Sequence, residues 1–109
     1  MGSKEKRRAP RAKTDLVFEI FGEADHLISG VGRLLDVSIV GGLLETTSRL
    51  DSGQKIKAHI RMDAHRVVEL EGNVVWLKPK GRMIIYGVEF VKMHPNDLEQ
   101  LKTWMEARV

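Results

Sequence analysis

The chain has 109 residues, 42% hydrophobic and 30% charged, with a formal net charge of +3. This length fits one domain with one core, since single domains cluster near about 100–150 residues. Because the sequence contains no cysteine, disulfide bonds, thiolate metal sites and cysteine nucleophiles are excluded. There is no apolar stretch of about 18 residues, and the N-terminus is polar and basic. We therefore expect neither membrane insertion nor a secretory signal, but a cytoplasmic protein.

The positive charge is concentrated at the N-terminus. Residues 1–13 contain six lysine or arginine residues against the single acid Glu5, so this segment carries +5 and the other 96 residues sum to −2. The sequence thus predicts a flexible basic arm at 1–13 on a nearly neutral body at 14–109. Such an arm indicates an anionic partner.

The segments after the arm have the composition and alternation of β-strands. Gly30 and Gly32 lie inside one of them and indicate a bulge, a bend or a close backbone approach. A turn is predicted at 22–26, after the first strand. Short strands with glycine-rich turns predict an antiparallel sandwich or barrel. The predicted strands are 14–21, 27–37, 42–47, 54–62, 66–77 and 82–92.

The hydrophobic period changes at the C-terminal end of the chain. Pro95 suits the first turn of a helix, and Asp97 and Glu99 favour its positive end. Apolar residues then recur at spacings of three and four, which predicts an amphipathic helix over about 95–108, packed on the barrel. These apolar residues are Leu98, Leu101, Trp104 and Met105.

The first candidate motif lies in the arm. Arg7 and Arg11 are four residues apart, Arg8 lies beside them, and Pro10 stiffens the link. Guanidinium groups bind phosphate oxygens in pairs, contact the guanine edge and stack on base faces. Taken alone, however, the segment is more typical of a solvated basic tail.

The second candidate motif follows the second predicted strand. Asp36 can accept the two N–H groups of a guanine edge, and Ser38 can donate or accept a hydrogen bond. Gly41 and Gly42 permit a positive φ and a close approach of the backbone to a ligand. Taken alone, the segment is more typical of a turn in which the glycines serve the bend.

Together, the two motifs resemble the signature of the PilZ family, whose members bind the bacterial second messenger cyclic di-GMP (c-di-GMP). That signature is Arg-x-x-x-Arg before the first strand and Asp/Asn-x-Ser-x-x-Gly between the second and third, here at 7–11 and 36–41. The segments at 42–44, 72–76 and 87–90 are also similar to the family pattern. The resemblance covers about residues 6–105.

The resemblance implies an all-β fold, a six-stranded antiparallel β-barrel of PilZ type with a C-terminal helix. It further implies that Arg7 and Arg11 hold phosphates and guanine faces while Arg8 assists them. Asp36, with its neighbours in the second motif, would present a polar edge and an open backbone to one guanine. The expected c-di-GMP site comprises Arg7, Arg8, Arg11, Asp36, Ser38, Gly41 and Gly42.

The function that the resemblance implies is that of a receptor or adaptor. It would change conformation on binding c-di-GMP and regulate an effector protein of motility, adhesion or exopolysaccharide output. We expect no cofactor, no metal, no nucleic acid polymer as partner and no catalytic residues. The effector is not identified by the sequence, and monomer and dimer both remain open.

Three other functions compete with this hypothesis. A PilZ-like adaptor could bind proteins without nucleotide, although the intact signature argues against it. A nucleic-acid-binding barrel with a basic tail is disfavoured by the slightly acidic body. An enzyme is disfavoured because the sequence contains no phosphate loop, nucleophile elbow or Ser/His/Asp set.

The remaining polar and aromatic residues give weaker signals. His26, His59, His65 and Asp63 match no common zinc spacing, so a solvated or structural role is expected for them. Glu69 and Glu71 are expected on a charged, wet strand face near Arg66 and Lys57 rather than as catalytic acids. Trp76 and Tyr86 lie on predicted strands and are either core residues or pocket walls.

Overall fold

A computed structural model of the chain describes residues 10–21 and 28–108, except for the side chain of residue 28. The predictions that concern Arg7, Arg8, His26 and the turn at 22–26 lie outside the described residues.

The described residues form seven strands and one helix, and each predicted element is present with its ends shifted by at most three residues. A two-residue strand, β1, was not predicted. The division of the chain into arm and body at residue 13 stays a prediction. The elements are β1 Ala12–Lys13, β2 Val17–Phe21, β3 Ile28–Val37, β4 Gly41–Thr46, β5 Lys55–Arg61, β6 Val67–Lys80, β7 Met83–Met93 and α1 Pro95–Glu106.

The strands form one closed antiparallel sheet. They follow the order β3, β2, β5, β6, β7, β4, and β4 pairs back with β3. β1 pairs outside this circle with the end of β3. The expected six-stranded barrel with a C-terminal helix is therefore confirmed, with one outer strand added.

The barrel interior is filled by the apolar residues that alternate along the strands. β5 shows this best, since Ile56, Ala58 and Ile60 are buried while the residues between them face outward. α1 adds Leu101 and Met105 to the same core. The burial of alternate residues explains why the period of two in the sequence predicted these strands correctly.

Glycines allow β3 to pass close to its neighbours. A Cβ atom on Gly32 would lie 2.6 Å from the backbone oxygen of Glu45, and one on Gly30 would strike the Ser48 hydroxyl. Of the three predicted alternatives, Gly32 shows the close backbone approach, whereas Gly30 lies against the Ser48 side chain and next to a β-bulge between β2 and β3.

Tyr86 is a core residue, which decides between the two predicted roles for this side chain. It is 1% exposed. Its hydroxyl donates to the Ser48 carbonyl oxygen and accepts from the Leu50 N–H, both at 2.8 Å. Through these bonds β7 holds the connection between β4 and β5.

Replacing this hydroxyl tests how much the connection depends on it. Tyr86→Phe leaves a backbone N–H and a carbonyl without their partner while preserving the ring. We expect the free energy of unfolding to fall by about 1–3 kcal/mol, measured by equilibrium urea denaturation. A loss below about 0.5 kcal/mol, the range of neutral surface substitutions, would show that the hydroxyl does not hold the connection.

Candidate functional site

The structure brings the two sequence motifs together at the end of β3. The Arg11 Nη1 atom donates to the Asp36 Oδ1 atom at 3.0 Å, although the residues are 25 positions apart in the chain. The Arg11 side chain is 54% exposed and that of Asp36 19%. The pair therefore lies on the surface, where a ligand can reach both groups.

Backbone pairing places Arg11 beside Asp36. β1 pairs Ala12 with Val37 and Lys13 with Asp36. The Thr14 N–H then donates to the Leu35 carbonyl at 3.0 Å, and β2 continues along the same edge of β3. Ala12 is buried. Main-chain hydrogen bonds and one buried methyl group thus hold the end of the arm on the barrel in addition to the ion pair.

A β-bulge directs the Asp36 side chain outward. Leu34 pairs with Leu44, but Asp36 pairs with Leu43, so Leu35 is an extra residue in β3 relative to β4. Because successive strand residues point to opposite faces, this extra residue turns Asp36 to the outside. Val37 then points inward and is buried.

Ser38 is 1% exposed and shapes the turn between β3 and β4. Its N–H donates to the Gly41 oxygen at 2.8 Å, its Oγ donates to the same oxygen at 3.3 Å, and the Val40 N–H donates to that Oγ at 3.1 Å. Ser38 therefore has the turn-forming role that the sequence allowed for it. A role toward a ligand stays a prediction.

Gly41 and Gly42 do not use the positive φ that glycine permits. Among the described glycines, positive φ occurs at Gly53 and Gly81. The motif glycines are instead required by close strand packing. A Cβ on Gly41 would strike the Val88 oxygen, and one on Gly42 would lie 2.7 Å from the Asp36 oxygen. Their predicted contact with a ligand stays untested.

The strand register adds Trp76 to this surface. Asp36 lies opposite Leu43, Leu43 opposite Gly87, and Gly87 opposite Trp76. Directly opposed residues share one face of a sheet, so Asp36 and Trp76 lie on the same outer face. Trp76 packs over Gly87 and is 43% exposed. It is not a core residue, which leaves the predicted role as a pocket wall.

His59 and Asp63, among the described residues outside the motifs, have structural partners. The His59 ring packs on Phe21, with centroids 4.3 Å apart, and its Nε2 lies 3.6 Å from Glu69. The N–H groups of His65 and Arg66 donate to Asp63 at the turn before β6. The His65 N–H, followed by Arg66, lowers the pKa of Asp63. Within residues 10–21 and 28–108, no group of three or more histidine, aspartate or glutamate side chains is placed to hold a metal ion.

Glu69 and Glu71 lie opposite His59 and Lys57 on neighbouring strands. The predicted charged outer face is present with Lys57 opposite Glu71, but Arg66 pairs with Asp63 instead, and His59 lies opposite Glu69. In the part of the chain that the structure describes, no helix has the length and apolar character needed to cross a bilayer.

Comparisons with known proteins agree with this geometry. The family model for the PilZ domain matches residues 5–107. No match was found among the curated proteins.

Several solved structures share the fold. The PilZ domain of YcgR from Escherichia coli with c-di-GMP has a TM-score of 0.75 at 17% identity, covering 94% of this chain and 91% of that one. The Bacillus subtilis inhibitor of motility, MotI/DgrA, has a TM-score of 0.73 at 19% identity, with 93% and 50% covered. The K. pneumonia MrkH–c-di-GMP complex has a TM-score of 0.74 at 15% identity, also with 93% and 50% covered. This chain thus spans about half the length of the last two proteins.

The structural role of Ser38 can be measured directly. Ser38→Ala removes both hydrogen bonds of a buried hydroxyl, so we expect the free energy of unfolding to fall by about 1–3 kcal/mol. Ser52→Ala, in an exposed turn, is the matched control and should change it by less than about 0.5 kcal/mol. Equal unfolding midpoints for the two variants in urea would contradict the assigned role.

Proposed function

Because this chain belongs to the PilZ domain family, we propose that it is a receptor for cyclic di-GMP that regulates a partner protein. The contact between Arg11 and Asp36 carries this proposal, since it joins the arginine motif to the acidic motif on one exposed surface. Cyclic di-GMP has two phosphates and two guanines, and this surface offers a cation that suits phosphate and a carboxylate that suits a guanine edge.

Arg11 and Asp36 have the capacity to bind a ligand while they remain paired. A guanidinium has five N–H donors, and a carboxylate has about four acceptor positions. One donor and one acceptor are used in the contact at 3.0 Å. The remaining donors of Arg11 suit a phosphate or the guanine O6 and N7 atoms. The remaining acceptors of Asp36 suit the N–H groups of a guanine edge.

Trp76 supplies an apolar element to the same proposed site. Its ring lies over Gly87, on the outer face that also holds Leu43 and Asp36. An exposed aromatic ring offers a stacking surface to any base. We therefore assign Trp76 to the wall of the site, on the face that holds Asp36.

The arm provides the proposed conformational response. β1 fixes residues 12–13 on the barrel, and Arg7 and Arg8 lie a few residues before this point. A ligand that contacts these arginines and Asp36 at once favours the state in which the arm lies against the barrel. The ligand then shifts the population toward that state, and the altered surface is what a partner recognises.

The proposed output is regulation rather than catalysis. PilZ domains are receptor or adaptor domains, and one structural neighbour is an inhibitor of motility. We propose an effector protein in motility or adhesion, and c-di-GMP as a ligand rather than a cofactor. A cytoplasmic location is part of the proposal, and cell fractionation tests it.

Substitutions of the ion pair separate binding from stability. We expect Arg11→Ala, Asp36→Ala and Arg7→Ala to abolish c-di-GMP binding in calorimetry. Arg11→Lys should bind weakly, because lysine lacks the planar fork. Loss of the Arg11–Asp36 pair should lower the free energy of unfolding by less than about 1 kcal/mol, as expected for a surface ion pair.

Arg61→Ala is the matched control for Arg11→Ala. Arg61 forms a surface pair with Glu19 at 2.9 Å and is 48% exposed, but it lies on β5, away from the proposed site. This variant should bind as the wild type does, and GTP and cyclic GMP should not replace c-di-GMP. A wild-type protein that does not bind at tens of micromolar would overturn the proposal. A partner captured equally with and without nucleotide would favour the nucleotide-independent adaptor.

The chain has two tryptophans, which allows the role of Trp76 to be tested by fluorescence. In Trp104→Phe, c-di-GMP should change the emission of the remaining Trp76. In Trp76→Phe, the emission of Trp104 on α1 should stay constant. Trp76→Ala should weaken binding by about 1–3 kcal/mol, the usual contribution of one stacked base. Constant emission from Trp76 in a variant that binds would remove this residue from the site.

A further inference from the structure

One stretch of β6 has an open edge in the part of the chain that the structure describes. β5 pairs with β6 up to Asn73, and the Val74 N–H and oxygen still bond to Gln54 and Gly53. From Trp76 to Lys80, β6 pairs only with β7. The other edge of this stretch therefore presents backbone groups to which a further strand can add.

Apolar side chains lie along this open edge. Val74 pairs with Val88 and Trp76 with Gly87, so Val75 is a bulged residue with no residue opposite. Val75, Trp76 and Leu77 are 50%, 43% and 42% exposed. Val75 and Leu77, which the proposed c-di-GMP site does not use, leave apolar area for a partner to cover.

The charge of this stretch selects the partner. Residues 72–88 contain Lys78, Lys80 and Arg82 but no acidic residue. Glu45 on β4 is held by Arg33 at 2.9 Å and lies 3.7 Å from Lys80, so its charge is shared between two cations. The edge is apolar at one end and cationic at the other, which complements an extended segment carrying apolar and acidic residues.

The same charges disfavour two other occupants. A second copy pairing edge to edge would bring lysines of both copies onto adjacent strands, where like charges repel. The chain's own arm carries +5 and is repelled for the same reason. Pro79 has no N–H, so strand addition is confined to residues 75–78, before the proline.

We propose that the open edge of β6 at residues 75–78 binds an acidic, extended segment of a partner protein as an added antiparallel strand. The backbone of that segment pairs with β6, its apolar residues cover Leu77, and its acids face Lys78 and Lys80 on the other side of the strand. Binding of this kind uses main-chain hydrogen bonds for affinity and side chains for specificity. The proposal does not depend on nucleotide.

The probe is a synthetic eight-residue peptide of alternating glutamate and valine, titrated to millimolar concentration into the ¹⁵N-labelled full chain. We expect amide shifts centred on residues 75–78 and slowed hydrogen exchange there. The double substitution Lys78→Glu and Lys80→Glu should weaken peptide binding at least about fivefold. It replaces two attractive surface charge pairs between peptide and protein by two repulsive ones. Lys102→Glu on α1 is the matched control and should bind normally.

N-methylated peptides distinguish strand addition from electrostatic adsorption. Methyl groups on alternate residues block one edge of an extended peptide. Of the two isomers, the one methylated on the edge that faces β6 should lose binding, and the other should retain it. The proposal would be overturned if both isomers bound equally or if the amide shifts were centred elsewhere. It would also be overturned if a peptide with lysine in place of glutamate bound as well as the glutamate peptide. Concentration-dependent dimerisation of the chain that is abolished by Leu77→Glu would overturn it too, since a second copy would then be the occupant.

Discussion

The pairing of β1 with the end of β3 is the interaction on which the proposed site depends. It joins two segments that are distant in the sequence and brings a cationic motif against an acidic one. In this pairing, Ala12 lies opposite Val37 and Lys13 lies opposite Asp36. The burial of Ala12 and Val37 stabilises it. Without this pairing, Arg11 would belong to an ordinary basic tail.

Different forces hold the barrel and prepare the proposed binding surface. Strand pairing, buried apolar side chains and the Ser38 turn stabilise the fold. Arg11 and Asp36 interact on the surface, where an ion pair adds little to stability, so their chemistry is left for a ligand. Gly41 and Gly42 belong to the first group in this structure, because their close contacts are with neighbouring strands. The second motif therefore contains both structural residues and residues available for binding.

The sequence predicted most of the fold because alternation and burial coincide in this barrel. β5 and the apolar face of α1 follow their periods closely, and turn residues mark the ends of the strands. β1 was missed because two residues cannot show a period. The family resemblance identified the barrel, but alternation alone did not distinguish a sandwich from a barrel, since closure depends on the pairing of β4 with β3.

The site was predicted in part for similar reasons. The chemistry of Arg11 and Asp36 is readable from residue types, and their contact agrees with the predicted assembly of the two motifs. The position of Trp76 was not readable, because its alignment with Gly87 depends on the bulge at Val75. Whether Gly41 and Gly42 use a positive φ was not readable either, because glycine serves close packing as readily as an unusual backbone conformation.

The bulge at Leu35 decides which residues of β3 point to the outer face, and therefore which chemical groups this surface offers. If β3 paired regularly through Leu35 instead of bulging there, Asp36 and Val37 would exchange faces, which would bury a carboxylate and expose a core side chain. The spacing between arginine and acid along the chain is therefore not the quantity that defines the motif. To transplant the motif with its Leu35 onto another barrel, a designer would have to transfer the bulged pairing together with the charged residues.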